Sequence, residues 1–546
     1  MRNSIFVMCV FIGGTFHVNH MIAQNADSAQ SVVYDDALED IEYWRNFFAN
    51  TITAKELKQH LDVLASDEYE GRETGTAGQK KAAQYLADYY RGKAIQPVVG
   101  GSYFQQYDLK KESFTGSTAT LDGSTHKFLD DFYSWGTTAQ EIDASQIVFV
   151  GYGIATERWN DYEKAQVKGK VVMCLGGEPY DGSGKSLISG TEAPSDWAQD
   201  YGLKQEKAYE AGATALIVIH ANYNKVMTRI RYWLENAQMR LDKPTSDEEE
   251  DDQVPTFFIT PELADKILAP KKKTAAQLQA KILKRKKSKP FELASTLKFH
   301  MVSMVEKLKA ENVLCFIEGT DEKLKNEVIV ISAHYDHIGI VKGEINNGAD
   351  DDGSGTVTTL ELAEAFLEAK KNGFGLRRSI LILNVSGEEK GLLGSEWYAD
   401  FPVFPLASTV CNLNIDMIGR KDDQHTDGNY VYLIGSDKLS TDLHKISEQC
   451  NQRYTRLALD YTYNDPNDPN RFYYRSDHYN FAKNNIPVIF YFSGVHEDYH
   501  KPGDDVEKIM FDKMVTIAKL VFHTAWDVAN RDEKLKVDVV NAFEEK

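Results

Sequence analysis

The residues of this chain best suited to chemistry are two histidines and four acids in its second half: His334, Asp351, the adjacent Glu388 and Glu389, Asp416 and His500, spread over five short motifs. Two neutral imidazoles with the carboxylates of Asp351, Glu389 and Asp416 carry a charge of about −3, which two divalent cations and one hydroxide would neutralise. Glu388 is then left over as a base. Donor sets of this kind hold their metals roughly 3.5–4 Å apart and activate a shared water at neutral pH. The pattern therefore implies metal-assisted hydrolysis.

Each motif assigns a job by residue type. In AHYDHIG, His334 can ligate through one ring nitrogen while Asp336 takes the other N–H and fixes the tautomer, with His337 a weaker alternative ligand. GADDDGSG, Gly348 to Gly355, sets three acids on a glycine-rich turn before a helix expected near Thr356. One of these carboxylates can bridge two cations, although acids there also complement a helix dipole. NVSGEEKGLLGS ends a buried strand with two neighbouring glutamates that can divide the roles of ligand and base. NIDMIGR places Asp416 at the end of an apolar segment, where an unpaired acid would be costly. HEDYH, His496 to His500, matches the helical H-E-x-x-H zinc pattern in form only. Gly494 before it and Pro502 and Gly503 after it leave no room for the long helix that pattern needs, so His500 is read as a single ligand.

The elements that must position these groups are apolar strands at Val328 to Ala333, Ile380 to Val385, Leu413 to Ile415 and Val488 to Phe492, separated by helical patterns. Near-continuous apolar strands require a sheet covered on both faces, and open α/β sheets place their sites beyond the carboxyl ends of such strands. The candidate ligands follow the strands as that rule demands. Upstream, Ala37 to Asn50 reads as a helix, Thr53 to Glu56 as a capping box opening a helix through Leu64, and EGRETGTAGQ, Glu70 to Gln79, as a loop leading into a helix that ends at Tyr90. From about Ser145 the pattern changes to short strands, IVFVGYGI and GKVVMCLGG, followed by EAGATALIVI, which suggests a separate module. Its acidic run Asp247 to Asp252 and basic run Lys284 to Lys287 read as solvated faces.

With 62 basic and 82 acidic residues among 546, the net charge of −20 argues against nucleic acid or an anionic membrane as a partner. Arg2, the apolar run from Ile5 to Phe16 and Ala23 read as a secretory signal over residues 1–23, which would carry Cys9 away and leave a secreted or periplasmic protein. No stretch is long and charge-free enough to span a membrane. Cys174, Cys315, Cys411 and Cys450 lack metal-ligand spacing, and the first three sit in strand-like apolar runs where a buried, inert thiol is the default.

Taken in this order, the motifs resemble the co-catalytic di-zinc peptidase family that includes bacterial leucyl aminopeptidase and the glutamate carboxypeptidases. The resemblance runs from about Thr53 to Asn530 and is interrupted by a stretch similar to the protease-associated domain found inserted in many members. YGI at Tyr152, WNDYEKAQVKGKVV, AYEAGATALIVI and VPTFFITPELADKIL carry that second likeness. The resemblance implies an α/β fold, a mixed, largely parallel sheet with helices on both faces and a small β-rich insert. The implied division is an N-terminal arm and first peptidase part over 24–144, the insert over 145–289 and the main peptidase part over 290–546. It further implies two Zn2+ per chain and peptide substrates. His334 and Asp416 would bind one zinc, Glu389 and His500 the other, and Asp351 both; Glu388 would be the general base. Met417 would line the pocket for the N-terminal side chain, Tyr499 is a candidate donor to the oxyanion, and Ser476 to His478 would support the ligands. An aminopeptidase is the activity implied first. Carboxypeptidase or dipeptidase action, glutaminyl cyclisation, and a non-catalytic binding protein on the same fold are the alternatives.

Overall fold

The computed structural model describes residues 40–135, 140–244 and 253–540. The expected signal segment with its cleavage near Ala23, the first residues of the helix expected from Ala37, and the acidic run Asp247 to Asp252 lie outside the described residues.

Nine strands form the main sheet: β1 (Phe104–Ser113), β2 (Gln238–Leu241), β3 (Met304–Ile317), β4 (Val328–His334), β5 (Ser379–Val385), β6 (Thr409–Ile415), β7 (Tyr430–Ile434), β8 (Ala458–Asp460) and β9 (Val488–Phe492). Their order is β8-β7-β9-β6-β4-β5-β3-β1-β2. The central strands β5, β4, β6 and β9 run parallel, and β3, β1 and β2 extend one edge antiparallel. Every residue of those four parallel strands is buried, because alternate side chains enter two different cores. Ile329 and Ile331 of β4 join the core beneath helices α2 (Ala54–Leu64), α3 (Ala77–Gly92), α4 (Gly355–Lys371) and α6 (Phe511–Asn530). Val328 and Val330 point the other way, toward Tyr398 of α5 (Leu393–Asp400) and Phe481. Each such side chain contributes roughly 1.5–3 kcal/mol by leaving water, so the continuous apolar runs are the price of a sheet covered twice.

Helix α1, over 40–49, packs Trp44 and Phe48 near Phe374. Helix α2 starts where the capping signal placed it: the Thr53 hydroxyl accepts from the Glu56 amide at 3.2 Å and donates to the Glu56 carboxylate at 2.6 Å.

The inserted stretch has a core of its own, drawn from Ala119 to Met301. A six-stranded sheet runs Phe291–Ala294, Gln146–Gly151, Val171–Leu175, Ala215–Ile219, Thr256–Ile259, Phe132–Tyr133, and its four inner strands are parallel. Two differences from the sequence reading follow. The module is itself α/β rather than simply β-rich, since parallel neighbours need crossovers and the helices Gly202–Glu210 and Tyr223–Glu235 supply two of them. Its packing also extends beyond residues 145 and 289: Thr118–Leu121 and Gln140–Asp143 both pair with Lys298–Met301, a partnership across long sequence separation that no local pattern signals. Midway through the insert the chain returns to the peptidase sheet as β2, where Leu241 faces Leu109.

Cys174, Cys315, Cys411 and Cys450 are buried free thiols. Among the described residues no helix is long and apolar enough to cross a membrane.

Candidate metal centre and active site

The carboxyl ends of β4, β5, β6 and β9 open onto one site, and the loops after them deliver its side chains. His334 is the last residue of β4 and is 1% exposed. Its Nδ1 donates to the main-chain carbonyl of Asp336 at 3.1 Å, whereas the Asp336 carboxylate lies 3.7 Å away. The tautomer is thus set mainly by a carbonyl, not by the carboxylate the motif suggested. Nε2 is left facing Asp351 Oδ1 at 3.3 Å, Asp416 Oδ1 at 3.7 Å and Glu388 Oε2 at 3.9 Å.

The run of three acids divides by what their oxygens already hold. Asp352 Oδ2 accepts the His334 amide at 3.2 Å, and its Oδ1 accepts the amides of Gly355 at 2.8 Å and Met417 at 3.1 Å, so this buried carboxylate ties β4, α4 and the end of β6 together. Asp350 Oδ1 accepts the Gly419 amide at 2.6 Å. Asp351 alone turns into the site, with Oδ1 toward His334 and Oδ2 toward His500 at 3.1 Å and His337 at 3.6 Å. The tight turn beneath it depends on Gly348, whose φ is +58°; a Cβ there would lie 2.3 Å from the Asp351 carbonyl and 2.5 Å from the His337 ring.

Glu389 completes the far side. Its Oε1 meets His337 Nδ1 at 2.8 Å and its Oε2 meets His500 Nε2 at 3.1 Å. Two donor groups result, His334 with Asp351 and Asp416, and His337 with Asp351 and Glu389, and Asp351 belongs to both. Asp351 Oδ2 and His337 Nε2 are buried without a hydrogen-bond partner. Buried imidazole and carboxylate donors left in that condition, converging from several elements, fit a divalent metal of the zinc type. His500 sits at the exposed rim with φ +55° in a turn over 497–500, which excludes the helical reading of HEDYH. His496 faces elsewhere, 3.4 Å from Asp350 Oδ2.

The charges shape the protonation of these side chains. Burial pushes the Glu388 carboxyl well up, and Glu389, Asp416 and Asp477 push it further against the opposing pull of His334. Burial and Asp351 also act to raise Glu389, but contact with His337 and His500 holds it down at about 2. Burial works against a charged His500, yet Asp351 and Glu389 raise it to about 10. Asp416 is anchored from behind by the Ser476 hydroxyl at 2.6 Å, which in turn accepts from Asn414 Nδ2 at 2.8 Å.

Beside the donors lies a pocket lined by Glu388, Met417, Phe472, Arg475, Phe490, Phe492, Val495 and Tyr499 as well as His334, Asp351 and Asp416. Met417, at φ +54° and almost wholly buried, gives this pocket part of its wall. The Tyr499 ring stacks on His500 at 3.9 Å, and burial with the nearby carboxylates keeps its phenol protonated. Asp336 supports rather than faces the pocket: Oδ1 accepts the Glu388 amide at 3.3 Å and Oδ2 the Thr74 hydroxyl at 2.7 Å. Of the other expected supports, Asp477 accepts from the Ser395 hydroxyl at 2.6 Å and His478 stacks on Phe490.

His337, which the motif offers as a weaker alternative ligand, stands buried in the second donor group. Two further contributors are not marked by the motifs. Arg72, in the loop read as a plain glycine-rich turn, is 1% exposed and donates to the carbonyls of Leu64, Tyr335, Asn347 and Gly348 at 2.6–2.9 Å. Asp504 accepts the amides of Asp350 and Asp351 at 3.0–3.1 Å and so holds the acid turn from below. Nothing local marks Asp504, whereas an arginine within an otherwise small and polar loop was a usable hint of a buried anchor.

A mixed sheet with a carboxylate shared between two donor groups at the ends of its parallel strands is an arrangement suited to metal-assisted chemistry. Residues 312–525 match the model of Peptidase family M28, a likeness that agrees with the resemblance to co-catalytic zinc peptidases carried by the motifs. A stretch of 232 residues is 32% identical to a protein named probable leucine aminopeptidase from Arthroderma otae, covering 41% of this chain and 59% of that one. Another of 267 residues is 27% identical to aminopeptidase Y of Saccharomyces cerevisiae, covering 45% and 46%. The match thus spans only about half the length of these curated relatives. The solved aminopeptidase from Aneurinibacillus sp. strain AM-1 superposes with a TM-score of 0.52 at 17% identity, over 91% of this chain and 98% of that one, and shows the same fold.

Proposed function

We propose that the chain is an exported exopeptidase that holds two zinc ions and removes N-terminal residues from peptides. The observation that carries this reading is Asp351, whose two oxygens face separate donor groups while Glu388 stands in the adjoining pocket. His334, Asp351 and Asp416 would hold one ion; Asp351, Glu389 and His500, with His337 beside them, would hold the other. When bound, such a metal pair supplies Lewis acidity and a nucleophilic water at neutral pH.

The chain's own residues supply the rest. Glu388 has a carboxyl of raised proton affinity, suited to accepting a proton from water at Oε2 and passing it to the leaving amine. Asp336 fixes the Glu388 main chain through its amide. Tyr499, kept protonated, can donate to an oxygen that becomes negative during reaction. Met417, Phe472, Phe490 and Phe492 offer an apolar wall to one side chain of the substrate. The names of the curated relatives support removal from the N-terminus. Export rests on Arg2 with the apolar run from Ile5 to Phe16, and the segments around Tyr152 and Val254 support reading the insert as a protease-associated domain.

The test is a peptide mixture, half N-acetylated, incubated with zinc-loaded protein and read by mass spectrometry. N-terminal shortening of the free peptides alone is expected. C-terminal shortening of both halves would make the chain a carboxypeptidase, and no cleavage would overturn the peptidase reading. Glu388→Ala should abolish turnover while metal analysis still finds two zinc ions; turnover retained in that variant refutes the base.

A further inference from the structure

The charge of the chain is unevenly placed. Between Lys271 and Lys289 nine of nineteen residues are lysine or arginine and none is acidic, in a chain whose total is −20, so the remainder carries −29. The helix Ala275–Arg285 buries Ala275, Leu278 and Ile282 in the module core and turns Lys281, Lys284 and Arg285 outward. Besides burial, the charges of Lys281, Lys271, Lys289 and Arg285 all act to lower the Lys273 ammonium, which lies 3.6 Å from the centre of the Phe291 ring. Some cations elsewhere in this module are ion-paired, Lys170 with Glu292 and Arg231 with Glu235. Among the described residues, none of the nine is ion-paired; Asp181, whose carboxyl feels Lys286, is a nearby acid.

We propose that this face of the inserted module is a docking surface for a layer of anionic lipid headgroups. The inference does not depend on the catalytic reading. Eight of the nine cations are lysine, a mobile point charge suited to a diffuse field of phosphates, whereas recognition of a defined phosphate or carboxylate favours the planar fork of arginine. The apolar side of the helix is committed to the core, so attachment is electrostatic and superficial rather than insertion. Phe291, a ring packed in the cluster, is capped by Lys273, which removes a stacking platform that a single-stranded nucleic acid would use. With −29 on the rest of the chain, this face is favoured over the remainder in approaching an anionic surface, so docking also orients the protein.

The experiment is co-sedimentation of the full chain with vesicles of phosphatidylcholine alone or with about one-third phosphatidylglycerol, at low and high salt. Each lysine near such a surface is worth roughly a five-fold gain in partitioning. Binding is expected to the anionic vesicles only, to be lost at high salt, and to fall by at least about ten-fold in Lys284→Glu/Arg285→Glu/Lys286→Glu/Lys287→Glu. These side chains are exposed, and an unchanged thermal melt followed by circular dichroism would verify the fold of the variant. No binding at low salt, or equal binding by the variant, overturns the proposal. So does displacement by millimolar inorganic phosphate, which would indicate a discrete phosphate site, or tighter binding to a duplex oligonucleotide than to the vesicles.

Discussion

Replacing Arg72 by lysine keeps the buried charge and removes only the shape of its hydrogen bonding. The guanidinium donates through Nε to Tyr335 O at 2.8 Å, through Nη1 to Leu64 O at 2.7 Å and Asn347 O at 2.6 Å, and through Nη2 to Gly348 O at 2.9 Å. These acceptors belong to the end of α2, the loop after His334 and the loop before Asp351. An ammonium has three donors on one atom and cannot span the fan. At least one carbonyl loses its partner outright, and a second is expected to; at roughly 1.5–3 kcal/mol for each bond to a charged group, the cost is about 3–6 kcal/mol. Because the loss falls on the segments that carry His334, His337 and Asp351, zinc affinity should fall with stability, by roughly 10–100-fold, as for other supports of ligand position. Urea unfolding of chelated and zinc-loaded protein, with a zinc titration of each, measures both. A lysine variant within about 1 kcal/mol of the parent and with unchanged zinc affinity would refute the clamp.

Ser476→Ala removes the 2.6 Å bond to Asp416 Oδ2 and should weaken zinc binding about 10–100-fold with little effect on the chelated protein; an unchanged titration would contradict it. The chelated protein should be most stable between about pH 4.5 and 6.5. Glu389, held at about 2, gives stability that is present above its unfolded value and lost as pH falls toward 2, whereas His500, raised to about 10, gives stability present below its unfolded value and lost as pH rises to about 10. Zinc loading should flatten the alkaline loss because a ligating imidazole is neutral, and melts of a chelated protein that do not fall between pH 7 and 10 would count against this account. Phe522→Ala, which removes a fully buried ring stacked on Phe366 at 4.7 Å, should cost about 3–5 kcal/mol in unfolding experiments; a loss below about 1 kcal/mol would mean the core closes over the gap.

What could be read without the structure were local properties. The strand Val328–His334 announced itself because every residue between two cores must be apolar or small, and β9 matched its expected span from Val488 to Phe492 because the same condition holds there. The helix at Thr53 was legible from the serine-like hydroxyl three residues before a glutamate. β2 was not, since four residues alternating between exposure and partial burial at a sheet edge carry too little apolar signal. Nor were the module limits, because Thr118–Leu121 finds its partner at Lys298–Met301, far along the chain.

The site divides in the same way. By itself the sequence determined which donors exist, that they follow strand ends, and that HEDYH could not be a helix, because glycine and proline act on their immediate neighbours. The family resemblance already implied Asp351 as the shared acid, and only the tertiary structure supplied a physical reason: main-chain amides of Gly355 and Met417 claim Asp352 and that of Gly419 claims Asp350. It likewise brought Arg72 to Tyr335 across 263 residues and Asp504 to Asp351 across 153. A hydrogen bond between such distant residues leaves no trace in either local pattern, because its geometry exists only after the loops have closed.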